Sequence, residues 1–150
     1  MNKTEGDVTF TLVHPRFLDN CWIDAGRFLR RATDRSHGRF DIFSLRRQIE
    51  AGASHLWILF QGDDEMLLAA TTEIAFYPLR KNLSVTFMGG DDSGLWYDYR
   101  DLIVEVFEDF ARANECDGIE LTGRDGWLKV LAKFGFEKVF TVVEKDLGSK

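Results

Sequence analysis

The chain has 150 residues, a net charge of −6 and 45% apolar residues, with thirteen Phe, four Trp, three Tyr and only two Pro. That length and apolar content fit one domain, residues 1–150, with a real buried core, and exclude a disordered or polyproline-rich chain. The negative balance argues against a general nucleic-acid binder, and no apolar run reaches the length of a membrane span. The opening MNKTEGDVTF carries no apolar signal-peptide core, and Cys21 and Cys116 share no metal spacing. Reduced thiols in a cytoplasmic protein are the expectation.

In chain order, Asp7 to His14 alternates like a strand. Leu18, Cys21, Trp22, Ala25, Phe28 and Leu29 then recur at helical spacing, with Pro15 suited to the first turn. A polar bend, ATDRSHG, leads to a shorter helix, with Asp41 as its start, Leu45 and Ile49 inward and Gly52 as its stop. Strands are expected over Ser54–Phe60, Met66–Pro78 and Leu83–Gly90, the first two joined by the QGDD turn. A helix from about Trp96 to Asn114 buries Leu102, Ile103, Val106, Phe107 and Phe110. The short strand GIELTG follows, and then a helix from Asp125 to Phe134 that buries Trp127, Val130, Leu131 and Phe134. Gly135 sits where a left-handed cap belongs, and FEKVFTVVEKDL reads as a final strand. The order is β-α-α-β-β-β-α-β-α-β, an α/β (α+β) mixed sheet with helices on both faces.

This order, with the run WLKVLAKFGFEKV, resembles the GNAT (general N-acetyltransferase) superfamily, the match in residues falling on Lys133, Gly135 and Phe136. The longer stretch GRDGWLKVLAKFGFEKVFTVVEKDL is similar to GNAT-like proteins of phage and prophage structural-gene regions, including internal virion proteins. In active members a Gln/Arg-x-x-Gly-x-Gly/Ala loop holds the coenzyme A pyrophosphate on backbone amides ahead of a helix. Here the stretch FMGGDDSGLWYDYRDL occupies that junction. Leu95 stands in the Gln/Arg slot, and the glycine positions fall near Asp98 and Arg100. Two like charges about 7 Å apart cost roughly 2 kcal/mol at an effective dielectric near 20, so Asp91, Asp92, Asp98 and Asp101 work against a pyrophosphate. Gly89, Gly90, Trp96, Asp98 and Arg100 therefore read as a degenerate cofactor loop, and no cofactor is expected.

The tyrosine that protonates the departing thiolate in the resembled family aligns with Leu131, and the helix asparagine with Arg124. The strand-borne carboxylates Glu73 and Glu120 are the catalytic candidates should the chain be active. His14, His37 and His55 lack ligand spacing, there is no P-loop and no Gly-x-Ser-x-Gly elbow, and Asp91 and Asp92 lack the calcium-loop pattern, so no metal is expected. Trp96, Tyr99, Arg124 and Trp127 are candidates to line a cleft at the split of the central strands.

Seven arginines lie between Arg27 and Arg47, opposed by Asp34 and Asp41 alone. Arg27, Arg30, Arg31, Arg35 and Arg39 form the candidate contact for a protein partner or phage assembly with an anionic surface. The leading expectation is a non-catalytic structural or binding component, in the host cytoplasm or the virion. The alternatives are an acetyl-CoA-dependent N-acyltransferase with an atypical loop, and a small-ligand sensor.

Overall fold

The computed structural model describes residues 1–91 and 94–148. Its elements are β1 (Asn2–Glu5), β2 (Val8–Val13), α1 (Leu18–Asp34), α2 (Ile42–Glu50), β3 (His55–Gln61), β4 (Glu65–Tyr77), β5 (Arg80–Gly90), α3 (Gly94–Ala113), β6 (Gly118–Leu121) and α4 (Gly126–Leu131). The six strands lie in one sheet in sequence order. Every neighbour pair is antiparallel except β5 and β6, which run parallel and are joined by α3. The mixed α+β architecture read from the sequence is the one observed.

Period-two alternation divides the strand residues between two cores. Leu56 and Ile58 of β3 and Ala69 of β4 pack with Leu18, Ala25, Phe28 and Leu29 of α1 and Leu45 and Ile49 of α2. On the other face Phe10, Trp57, Leu59, Ala70 and Leu83 meet Leu102, Ile103, Val106 and Phe107 of α3. Trp57 is the centre of that second core. Its ring stacks on Phe10 and meets Phe107 and Phe110 edge-on, with centroids 5.0–5.6 Å apart. Its indole Nε1 donates to Thr72 Oγ1 at 2.8 Å, so the one polar atom of the side chain is satisfied in the interior.

The helix ends follow local chemistry. The Asp41 carboxylate accepts from the Ser44 amide, and the Ser44 hydroxyl accepts from the Asp41 amide, a reciprocal cap that fixes where α2 begins. Before α1, Pro15 sits in a 3-10 turn, Pro15–Phe17, instead of in the helix proper.

Three elements differ from the sequence expectation. β1 is an added edge strand, paired with β2 through the Gly6 turn. Its residues, Asn2-Lys3-Thr4-Glu5, are polar throughout, so alternation could not reveal it. α3 begins at Gly94, two residues earlier than expected. The expected last strand does not join the sheet: after α4 a 3-10 turn, Ala132–Phe134, ends at Gly135, and residues 136–148 run outside any strand. Among the described residues no strand pairs with that segment. α4 is correspondingly shallow: Leu131 is buried, but Trp127, Val130 and Phe134 are only half-buried.

Candidate functional site

The site begins with an irregularity in the sheet. β4 and β5 pair regularly from Tyr77 opposite Arg80 to Thr72 opposite Val85, and then Thr71 pairs with Phe87, leaving Thr86 as an extra residue. The Thr86 hydroxyl donates to the Thr71 carbonyl at 3.0 Å, and the two Thr Oγ1 atoms lie 2.7 Å apart, which holds the bulge. A bulge bends its strand. β5 and β6 are paired only from Asn82 opposite Gly118 to Val85 opposite Leu121. Past that point β5 continues to Gly90 without β6 beside it, so the sheet splits.

Just before the split, three strands place Glu73, Ser84 and Glu120 side by side, Glu73 opposite Ser84 and Ser84 opposite Glu120. Alternation from buried Leu83 puts all three on the α1–α2 face, and all three are half-buried. α1 and α2 cover this face further along, where Phe40 meets the Phe87 ring edge-on at 5.2 Å. Glu120 is held by two donors: the Tyr77 hydroxyl, shared between Oε1 and Oε2 at 2.8 and 2.9 Å, and Asn82 Nδ2, which reaches Oε1 at 2.9 Å. Arg80 Nε donates to Asn82 Oδ1 at 3.0 Å, which orients the amide toward Glu120. Glu73 stands next to this anchored carboxylate. Burial pushes the Glu73 carboxyl above the ordinary glutamate range, and the Glu120 charge pushes it further. The bond to Glu120 raises the Tyr77 phenol, since losing its proton would cost that donor.

Tyr77, Arg80 and Asn82 were absent from the sequence candidates. The signal that places them is the tight β4–β5 turn at Pro78-Leu79, which sets Tyr77 opposite Arg80 and Glu73 opposite Ser84.

The junction after β5 has a different character. Gly89 and Gly90 belong to β5, and each answers to packing. A Cβ on Gly89 would lie 2.2 Å from the Phe28 carbonyl oxygen of α1, and one on Gly90 would lie 2.8 Å from the Leu67 carbonyl oxygen. Asp91 is exposed and accepts from Arg27 Nη1 at 2.9 Å. Asp92 lies outside the described residues. Leu95, Trp96, Asp98 and Arg100 all sit in the first two turns of α3. Asp91 stands on the strand side of this junction, and Leu95, Trp96 and Tyr97 follow Gly94 in the first turn of α3 on the other.

Trp96 and Trp127 meet edge-on, with centroids 5.2 Å apart. With Val85, Met88, Leu121 and Phe136 they line an apolar void of about 40 Å³, far below a metabolite pocket. Trp96 Nε1 is buried with no hydrogen-bond partner among the described residues. Tyr99 packs on the same core, whereas Arg124 is exposed ahead of α4. Leu131, at the family tyrosine position, is buried.

The arginine cluster divides in two. Arg27 pairs with Asp24 and Asp91, Arg39 with Glu144, and Arg46 with Asp19 and Glu50. Arg30, Arg31, Arg35 and Arg47 are exposed and make no ion pair among the described residues. Arg27 and Arg30 border an open groove of about 340 Å³ between α1 and α2, whose apolar lining includes the exposed Ile23 and Phe43. Among the described residues no three His, Cys, Asp or Glu side chains gather as metal ligands, and no helix is long and apolar enough to cross a membrane.

No protein-family model matches the chain, and no curated protein matches it in sequence. Solved structures do match in shape. A probable acetyltransferase superposes with a TM-score of 0.70 at 12% identity, over 94% of this chain and 99% of its own. An aminoglycoside acetyltransferase from an uncultured soil metagenomic sample, solved with sisomicin, gives 0.67 at 11% identity, over 96% and 97%. A GNAT family acetyltransferase of Staphylococcus aureus gives 0.61 at 10% identity, over 95% and 100%. At these identities the likeness shows the fold alone: the chain has the GNAT acetyltransferase fold. None of the three is named as a phage or virion protein, so the phage resemblance rests on the C-terminal sequence only.

Proposed function

We propose that the chain is an N-acyltransferase in which Glu73 takes the proton from an acceptor amine. The observation that carries this reading is the row Glu73–Ser84–Glu120 on one face, at the point where the sheet opens. A carboxylate with an upward-shifted pKa is a stronger base than a free one, and it lies on the side of the sheet left open by α1 and α2. Glu120, fixed by Tyr77 and Asn82, holds its charge in place and draws a cationic amine toward the pair. Glu73 takes one proton from the cationic amine, the freed nitrogen lone pair attacks the thioester carbonyl, the C–S bond breaks, and the departing thiolate takes up the second proton that the nitrogen loses. Leu131 offers no acid for that thiol.

The donor is an acyl thioester on an arm that need not be gripped through a diphosphate. β5 beyond Val85 has no strand on its β6 side, and an extended amide-bearing arm can bond such an edge. The shape match to acetyltransferases supports the reaction class.

A second reading, a non-catalytic binding component, is favoured by the junction itself, where Asp91 and the bulky first turn of α3 oppose an anion. Thiol release from acetyl-CoA, measured with a panel of diamines, aminosugars and lysine peptides, separates the two. Amine-dependent release that falls about 100-fold in Glu73→Gln supports catalysis. No release with any amine, together with no change in melting temperature on adding acetyl-CoA, would leave the binding reading standing.

A further inference from the structure

Past Gly135, where φ is 90°, Phe136 still lines the void beside Trp127, and residues 137–147 then leave the fold. They are rich in β-forming residues, yet no backbone–backbone hydrogen bond between described residues involves them. Val139, Phe140, Val142, Val143 and Leu147 are 62–90% exposed. Two ion pairs touch the segment, Lys138 with Asp125 at 3.9 Å and Glu144 with Arg39 at 2.5 Å. All four side chains are about half exposed or more, and such pairs contribute little. An apolar strand with its backbone unpaired calls for another strand.

The sequence of the segment names that strand. It reads Glu137-Lys138-Val139-Phe140-Thr141-Val142-Val143-Glu144-Lys145. Set antiparallel against itself with Thr141 opposite Thr141, it places Glu137 opposite Lys145 and Lys138 opposite Glu144. Val139 then faces Val143, and Phe140 faces Val142. Opposed residues are the contacts that set the stability of an antiparallel pair. A slip of one residue in one direction sets Lys138 against Lys145 and Glu137 against Asp146. A slip in the other sets Glu137 against Glu144. Only the centred register pairs every charge with its opposite and every apolar residue with another.

We propose that the segment pairs with its counterpart in a second copy of this chain, forming a homodimer about a twofold axis at Thr141. A twofold interface requires that when residue i meets residue j, j also meets i, and a strand complementary to its own reverse meets that condition. β6 of the same chain is a poorer partner, since it offers four residues to a segment of nine. No described strand pairs with the outer edge of β6 at the end of the sheet, so in the dimer β6 can add a third strand to the ribbon on each side, which two strands alone need in order to hold in water.

Sedimentation of the full chain across a concentration series tests this, with Lys138→Glu, Glu144→Lys and the double exchange. Each single change sets like charges opposite each other twice per dimer and weakens dimerisation about tenfold or more. The double exchange restores both pairs and returns the dissociation constant to within about threefold of the original. That restoration also separates the dimer contact from loss of the Arg39 pair, which the double exchange does not recover. A chain that stays monomeric at every concentration overturns the proposal. So does a dimer indifferent to the single changes, a double exchange as weak as the singles, or amide protection of residues 139–143 in a monomer.

Discussion

The glycine pair at the end of β5 is the feature that most suggests an anion site in the sequence, and replacing Gly89 by alanine tests what it is for. The added methyl would sit 2.2 Å from the Phe28 carbonyl oxygen and 3.0 Å from the Phe28 carbonyl carbon. Ordinary carbon–oxygen contacts lie beyond about 3.3 Å, so helix and strand must part by roughly 1 Å, and both obstacles are backbone that no rotamer change can move. Overpacking of this kind costs about 1–3 kcal/mol, and the upper end applies where backbone is struck. For a chain of this size, 3 kcal/mol lowers the melting temperature by about 6–12 °C. Thermal unfolding followed by circular dichroism reads the shift. Gly126→Ala is the control, because a Cβ there meets nothing within 4 Å, and it leaves the melting temperature unchanged or slightly raised. If Gly89→Ala melted with the parent protein, the contact between α1 and β5 would be wrong, and the glycine would need another reason.

Three further outcomes follow from the packing and charges. Trp57→Ala, in the centre of the α3-side core, costs about 3–5 kcal/mol, whereas Trp127→Ala on the shallow α4 costs clearly less; equal costs by denaturant titration would contradict the burial of these two rings. The folded state holds Glu73 protonated to higher pH than the unfolded chain does, so ionising it lowers stability as pH rises above the ordinary value of 4.5. Glu73→Gln therefore melts higher than the parent near pH 7, and the gain vanishes at pH values below that of a free glutamate; a gain independent of pH would refute the assignment. Replacing the exposed Arg30, Arg31 and Arg35 by Glu changes stability by under about 0.5 kcal/mol per site, yet shifts elution from a heparin column to lower salt; unchanged retention would show that other residues make the cationic surface.

The helices and buried strands were legible because their apolar residues follow one period throughout. Leu45 and Ile49 are buried behind the Asp41 cap, and Leu102, Ile103, Val106 and Phe107 form the stripe of α3, where the spacing puts them. β1 was illegible because Asn2 to Glu5 carry no apolar signal and pair through backbone and the Thr4–Thr9 hydroxyl contact. The segment after Gly135 misled in the opposite direction: its composition is that of a strand, but no strand among the described residues pairs with it. Within the site, Glu73 and Glu120 were visible as strand carboxylates. Their adjacency was not, because it depends on the register across β5: the Pro78-Leu79 turn sets Glu73 opposite Ser84, and the parallel β5–β6 pairing sets Ser84 opposite Glu120. Tyr77 and Asn82 escaped notice for the same reason. The glycines at 89 and 90 read as part of a degenerate cofactor loop because sequence cannot show the Phe28 and Leu67 carbonyls that approach them.

The pH dependence of kcat/KM for amine acylation tests the central claim most directly. The account predicts a limb that rises with pH through a single ionisation above the ordinary glutamate value of 4.5, reflecting Glu73 beside Glu120. That limb disappears in Glu73→Gln at a residual rate about 100-fold lower, while Tyr77→Phe keeps the limb with a smaller loss of rate. A limb that persists unchanged in Glu73→Gln, or no amine acylation at any pH, would contradict it.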